Sequence, residues 1–167
     1  ITVARPTFAQ INLDAIISNV RAAKNHARNR KLCAAVKADG YGHGAVAVAK
    51  AMSSAGADFF GVAMTEEGVK LREAGINKPI IMLTRVPEDD IETLLNYDLT
   101  ACITDESFAQ ELSQKAKKYN KVAKGHINVD TGMNRVGIPA EQARRIIPKI
   151  NKLPAINLTG IFTHFAC

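Results

Sequence analysis

Lys37 closes an apolar run, residues 32–36, and is followed by three glycines within five residues, Gly40, Gly42 and Gly44. A lysine at the end of a buried strand is in an unusual place, because burial disfavours the ammonium and can turn the side chain into a nucleophilic amine. Such an amine condenses with an aldehyde to give a Schiff base. The glycines let the backbone bend close to a ligand, and Tyr41 offers a hydroxyl to a phosphate oxygen. The bland alternative is a lysine that snorkels towards water beside glycines that serve only the turn. Two further segments carry candidate chemistry. One is the polar stretch 126–137 (HINVDTGMNRVG) with Arg135, and the other is 160–166 (GIFTHFA) with His164. Their bland counterparts are an exposed loop arginine and a satisfied core histidine.

The elements that must position these residues alternate. Short apolar runs at 32–36, 59–63, 79–83, 99–103, 122–129 and 158–163 read as strands, separated by stretches of helical periodicity. Asp14 is expected to cap a first helix on which Ile16, Ile17, Val20 and Ala23 share a face. A helix is expected over 43–55. Thr65 is expected to cap a Glu-rich helix that Gly75 ends, and Pro87 stands where another helix can begin. Asp105 opens a further helix, and the last one starts after Pro139 and is expected to kink or stop at Pro148. Six nearly all-apolar strands joined by helices fit a doubly wound parallel sheet or an unfinished eight-stranded barrel, and periodicity alone does not choose.

The chain has 167 residues, 47% of them hydrophobic and 23% charged, within the usual size of one soluble domain. The net charge of +6 raises nucleic acid as a partner. The basic residues argue against it: Lys115, Lys117, Lys118, Lys121 and Lys124 are spread among acids, aromatics are 5%, and no nucleic-acid motif accompanies the charge. Cys33, Cys102 and Cys167 lie far apart and form no metal-binding or disulfide pattern. No apolar run reaches the roughly 18 residues of a membrane span, and no signal-peptide pattern opens the chain, so a cytoplasmic protein is expected.

The run 35–44 (AVKADGYGHG) closely resembles the cofactor-lysine motif of the alanine racemases, and segments 126–137 and 160–166 resemble the same family in the same order. The resemblance implies a (β/α)8 barrel of the fold-type III class that binds pyridoxal 5'-phosphate, with all three segments at the C-terminal ends of strands. It implies that Lys37 holds the cofactor as a Schiff base and then acts as one of two acid/base groups at the substrate Cα. Tyr41 would bind the cofactor phosphate, His164 would lie against the pyridine ring, and Leu83 would touch that ring. Arg135 would contact both the cofactor's phenolic oxygen and the substrate carboxylate, a task suited to a planar guanidinium. Asp39 and His43, although they flank the lysine, are expected to serve the turn.

One position departs from the family. Many members carry a carbamylated lysine where this sequence has Asn128, which lacks the negative charge that helps hold the arginine. An anion such as chloride, or hydrogen bonds from neutral groups, must then position Arg135. The resemblance further implies conversion of L-alanine to D-alanine for peptidoglycan, in a homodimer whose second acid/base group comes from a C-terminal β-domain of the partner. That domain and the last barrel strands are not in the sequence. The chain is therefore expected to be an N-terminal barrel fragment of about six βα units, with poor activity alone. Other readings are a non-catalytic barrel protein that binds the same cofactor and a racemase of broader amino-acid range. A nucleic-acid-binding module is the reading from a different class.

Overall fold

The structure is a computed structural model that describes residues 7–166. The first helix, α1 (Leu13–His26), is capped by Asn12, whose side chain accepts the Ala15 N–H at 3.0 Å. Asp14, expected as the cap, instead sits in the first turn, where a carboxylate suits the positive end of the helix dipole.

Seven strands follow among the described residues, all parallel: β1 (Cys33–Ala35), β2 (Phe59–Val62), β3 (Ile80–Met82), β4 (Ala101–Ile103), β5 (Ala123–Asp130), β6 (Ile138–Pro139) and β7 (Ile156–Phe162). Six of them match the expected runs, and β6 is an addition. The sheet runs β1-β2-β3, crosses to β4 through a single parallel bridge between Ile81 and Thr100, and continues from β4 to β5 and β7. Consecutive parallel strands joined through helices, apart from β5 and β6, which a loop connects, are the wall of an α/β barrel and not a doubly wound sheet, whose strand order would reverse.

The connecting helices are α3 (Ala45–Ser54), α4 (Thr65–Glu73), α5 (Ile91–Asn96) behind a short 3₁₀ turn, α6 (Glu106–Lys118) and α7 (Ala140–Ile150). Asp105 caps α6 as expected, accepting the Phe108 N–H at 2.8 Å. Thr65 does not cap α4. Met64 takes the cap position and Glu67 accepts its N–H at 3.0 Å, while the Thr65 hydroxyl is buried and unpartnered. Helix α7 runs two residues past Pro148. Ile146 and Ile150 anchor it in the core, and Arg144, whose carbonyl loses its helical partner to the proline, is on the exposed side where water can serve it.

The core lies between strands and helices. Phe60 and Val62 of β2 pair in register with Ile80 and Met82 of β3, and all four are fully buried together with Ile103, Phe108, Leu112 and Ile127. Each such side chain contributes about 1.5–3 kcal/mol relative to exposure. The opposite face carries Ala35, Gly61 and Ile81 in one row and Cys102, His126 and Gly160 in another. Strand β1 corrects an expectation: Cys33 and Ala35 are exposed, not buried. It pairs with β2 along one edge, and only its helix-facing neighbour Val36 is enclosed.

Candidate active site

Because all the strands are parallel, their C-terminal ends share one rim, and every expected site residue lies at it. Lys37 follows β1, Leu83 follows β3, Arg135 stands in the loop after β5, and His164 follows β7. Lys37 and Leu83 are half-buried, whereas Tyr41, Arg135 and His164 are exposed.

The lysine turn, α2 (Lys37–Tyr41), winds left-handed. Ala38, Asp39 and Gly40 have φ of 51°, 52° and 64° with ψ of 50°, 45° and 37°, and Tyr41 has φ of 56°. Left-handed helical backbone costs roughly 1–2 kcal/mol for each residue bearing a Cβ. The turn is held accordingly. Gly40 N–H donates to the Val36 carbonyl at 2.8 Å and Gly42 N–H to that of Ala38 at 2.9 Å. Asp39 accepts the Ala45 N–H at 3.0 Å, which caps α3, and pairs with Lys70 at 3.1 Å. The Ala45 N–H and Lys70 hold the Asp39 carboxyl below its ordinary value. The His43 ring Nδ1 lies 3.1 Å from the Gly40 carbonyl oxygen and 3.0 Å from that of Tyr41. Asp39 and His43 thus serve the turn, as the sequence led one to expect.

Leu83 leans across β2. A Cβ on Gly61 would stand 3.0 Å from a Leu83 methyl, so the absence of a side chain there gives the leucine its place beside the end of β1.

The Arg135 loop, 130–137, is built around Asp130. Its carboxylate accepts N–H groups from Gly132 at 2.9 Å, Asn134 at 3.0 Å and Arg135 at 3.1 Å, and these donors hold its carboxyl below the usual range. Gly137, at φ 126°, lies against the backbone of β5, where a Cβ would come within 2.9 Å of the Asp130 nitrogen and 3.0 Å of the Asn128 carbonyl oxygen. That close approach sets up β6, which pairs Ile138 with Val129. The loop is tied to the end of β7 by a 2.7 Å bond between the hydroxyls of Thr131 and Thr163, next to His164.

Asn128 is buried near Cys102, whose thiol burial pushes up to about 12 and so keeps neutral. His126, half-buried, stacks against Gly160, where a Cβ would fall 2.7 Å from the imidazole, and burial lowers its affinity for a proton. The rim therefore has two groups, Lys37, Tyr41 and Leu83 around β1–β3, and Arg135 and His164 around β5 and β7. No hydrogen bond among the described residues joins them. Two residues with structural roles here, Glu67 and Asp130, were given none by sequence reasoning. The signals were an acid three residues after a helix cap and an aspartate opening a Thr-Gly turn.

The donor set suits an aldehyde-bearing phosphate cofactor: a primary amine at the end of a strand, a phenol in the following turn, a guanidinium and an imidazole on one rim. Fold and site together define a parallel α/β barrel wall that presents an amine-centred site on its C-terminal edge. The sequence matches the family described as alanine racemase, N-terminal domain, over residues 11–167, and the chain belongs to that family. It is 42% identical over 163 residues to the alanine racemase of Clostridium tetani, covering 97% of this chain and 42% of that protein. Against that of Halothermothrix orenii it is 43% identical over 165 residues, covering 98% and 44%. Among solved structures, alanine racemase from Clostridium difficile 630 superposes with a TM-score of 0.91 at 38% identity, covering 99% of this chain and 44% of that one. Alanine racemase from Bacillus anthracis with bound L-Ala-P gives 0.85 at 33%, covering 97% and 43%. The chain thus spans less than half the length of these relatives.

Proposed function

We propose that this chain supplies the cofactor-holding side of a pyridoxal 5'-phosphate-dependent alanine racemase, which interconverts L- and D-alanine for peptidoglycan synthesis. The observation that carries the reading is the placement of Lys37 at the rim on a costly left-handed turn, a conformation that persists only where surrounding structure enforces it and that collects at functional sites.

In this reading the bound cofactor acts as an electron sink that delocalises charge from the substrate Cα. The chain's own residues do the rest. Lys37 holds the cofactor through its Nζ and exchanges a proton with one face of the Cα. Tyr41 donates its hydroxyl to the cofactor phosphate. His164 and Leu83 bracket the ring, and Arg135 orients the substrate carboxylate by a bidentate pair of hydrogen bonds. Asn128 brings no charge to the arginine, and the Arg135 segment is fixed through its backbone, by the Asp130 carboxylate and the Thr131–Thr163 bond. A homodimer, alanine as the amino-acid substrate and a cytoplasmic setting complete the proposal. No described helix is long and apolar enough to cross a membrane.

The test is to add pyridoxal phosphate, reduce with borohydride and locate the label by peptide mass. Label confined to Lys37 and abolished in Lys37→Ala is the expected result. Label scattered over surface lysines would overturn the reading.

A further inference from the structure

We infer that Glu67 is a positioning residue for Lys37, the tether that holds the lysine's amine in its working direction. The inference rests on the reading that Lys37 carries the cofactor. Glu67 lies on α4, and its carboxylate spans two strand ends. One oxygen accepts the Ala38 N–H at 2.6 Å, and the other accepts the N–H groups of Ala63 at 2.8 Å and Met64 at 3.0 Å, just past β2.

The backbone on both sides of Lys37 is therefore fixed to β2 or to the helix that follows it. On one side the Val36 N–H donates to the Gly61 carbonyl at 2.9 Å, and on the other the Ala38 N–H donates to Glu67. Ala38 is also the first residue of the left-handed run. An N–H at that point has no carbonyl four residues back to serve it in the usual helical manner, and the ionised carboxylate supplies a charge-assisted partner in its place. With the bond in place, the direction in which the chain leaves β1, and with it the Cα–Cβ vector of Lys37, is set by a side chain 29 residues away. Adjacent Glu66 makes none of these bonds.

Replacement by glutamine separates the tether from the helix cap. Its single carbonyl oxygen can keep the Ala63 and Met64 donors, but its amide NH₂ then faces the Ala38 N–H, donor against donor. Glu67→Gln is expected to raise at least tenfold the concentration of pyridoxal phosphate that half-saturates borohydride-trapped label at Lys37. It is also expected to move the pH midpoint of the bound cofactor's absorption band, a readout that simple loss of stability does not shift. Glu66→Gln is expected to change neither. Glu67→Asp, which keeps the charge but shortens the reach by one methylene, is expected to behave like Glu67→Gln.

Hydrogen exchange on the unmutated chain needs no variant to fold, and the Ala38 amide is expected to be protected. Exchange at the free-peptide rate, or half-saturation and band midpoint unchanged in both Glu67 variants, would overturn the inference. Failure of the unmutated chain to take label at Lys37 while the Ala38 amide stays protected would instead strike the cofactor reading, and the positioning role would go with it.

Discussion

At the end of β1, the lysine turn is held from outside its own segment: Glu67 and Lys70, both on α4, reach across to Ala38 and Asp39. At the end of β5, the loop that carries Arg135 is held mainly by its own segment, because Asp130 binds N–H groups two to five residues further on, with one hydroxyl bond to Thr163. The difference teaches where each half of the rim is vulnerable. The first half depends on the seating of a neighbouring helix, and the second depends on local backbone geometry at Asp130 and Gly137.

The largest effect that would break this comparison comes from Gly137. At φ 126° and with β5 backbone where a Cβ would go, Gly137→Val is expected to cost on the order of 3 kcal/mol, read as a fall in the urea midpoint. Hydrogen exchange at Ala38 should stay unchanged in that variant. If the lysine turn loosens with the arginine loop, the two halves are not held separately.

Acid sharpens the contrast. Asp130 and Asp39 both have depressed carboxyl pKa values, so their contribution is complete above the unfolded-state value near 4 and is lost as pH falls through the lower folded-state value. Amide exchange at Gly132, Asn134 and Arg135 is expected to accelerate together over that acid window. The Ala38 amide, which has its own partner in Glu67, should not follow the Asp39 transition. Joint loss of both sets at one pH would mean a single cooperative site.

The smallest effect runs the other way. Ala38→Gly removes the penalty of a Cβ at φ 51° and is expected to stabilise the chain by up to about 1 kcal/mol in urea denaturation. A loss of stability would show that the left-handed turn is not under strain.

Much of this was legible in the sequence. Six strand runs, the Asp105 cap and the start of α7 after Pro139 could be read because they depend on local patterning and local hydrogen bonds. The candidate site residues were legible through their motifs, which fall on one rim because parallel strands align their ends. Interactions that depend on distant partners were hidden. The cap at Asn12 instead of Asp14 differs by two residues that are both good caps. The service of Glu67 to Ala38 crosses 29 residues, and no periodicity announces it. The exposure of Cys33 and Ala35 follows from which strands pair with β1, a tertiary matter that an apolar run cannot encode. The persistence of α7 beyond Pro148 likewise reflects the burial of Ile146 and Ile150.

The crossing from β3 to β4 has a kinetic meaning. Between these strands the sheet has one bridge pair, Ile81 with Thr100, and the backbone bonds of Met82 and Thr100 around it, whereas β5 and β7 pair along most of their lengths. Such a seam is where a structure divides into foldons, units that open and close with free energies of their own. If the molecule opens at this seam, Lys37 falls in one unit and Arg135 in the other, and a ligand spanning the rim would act as a staple between them.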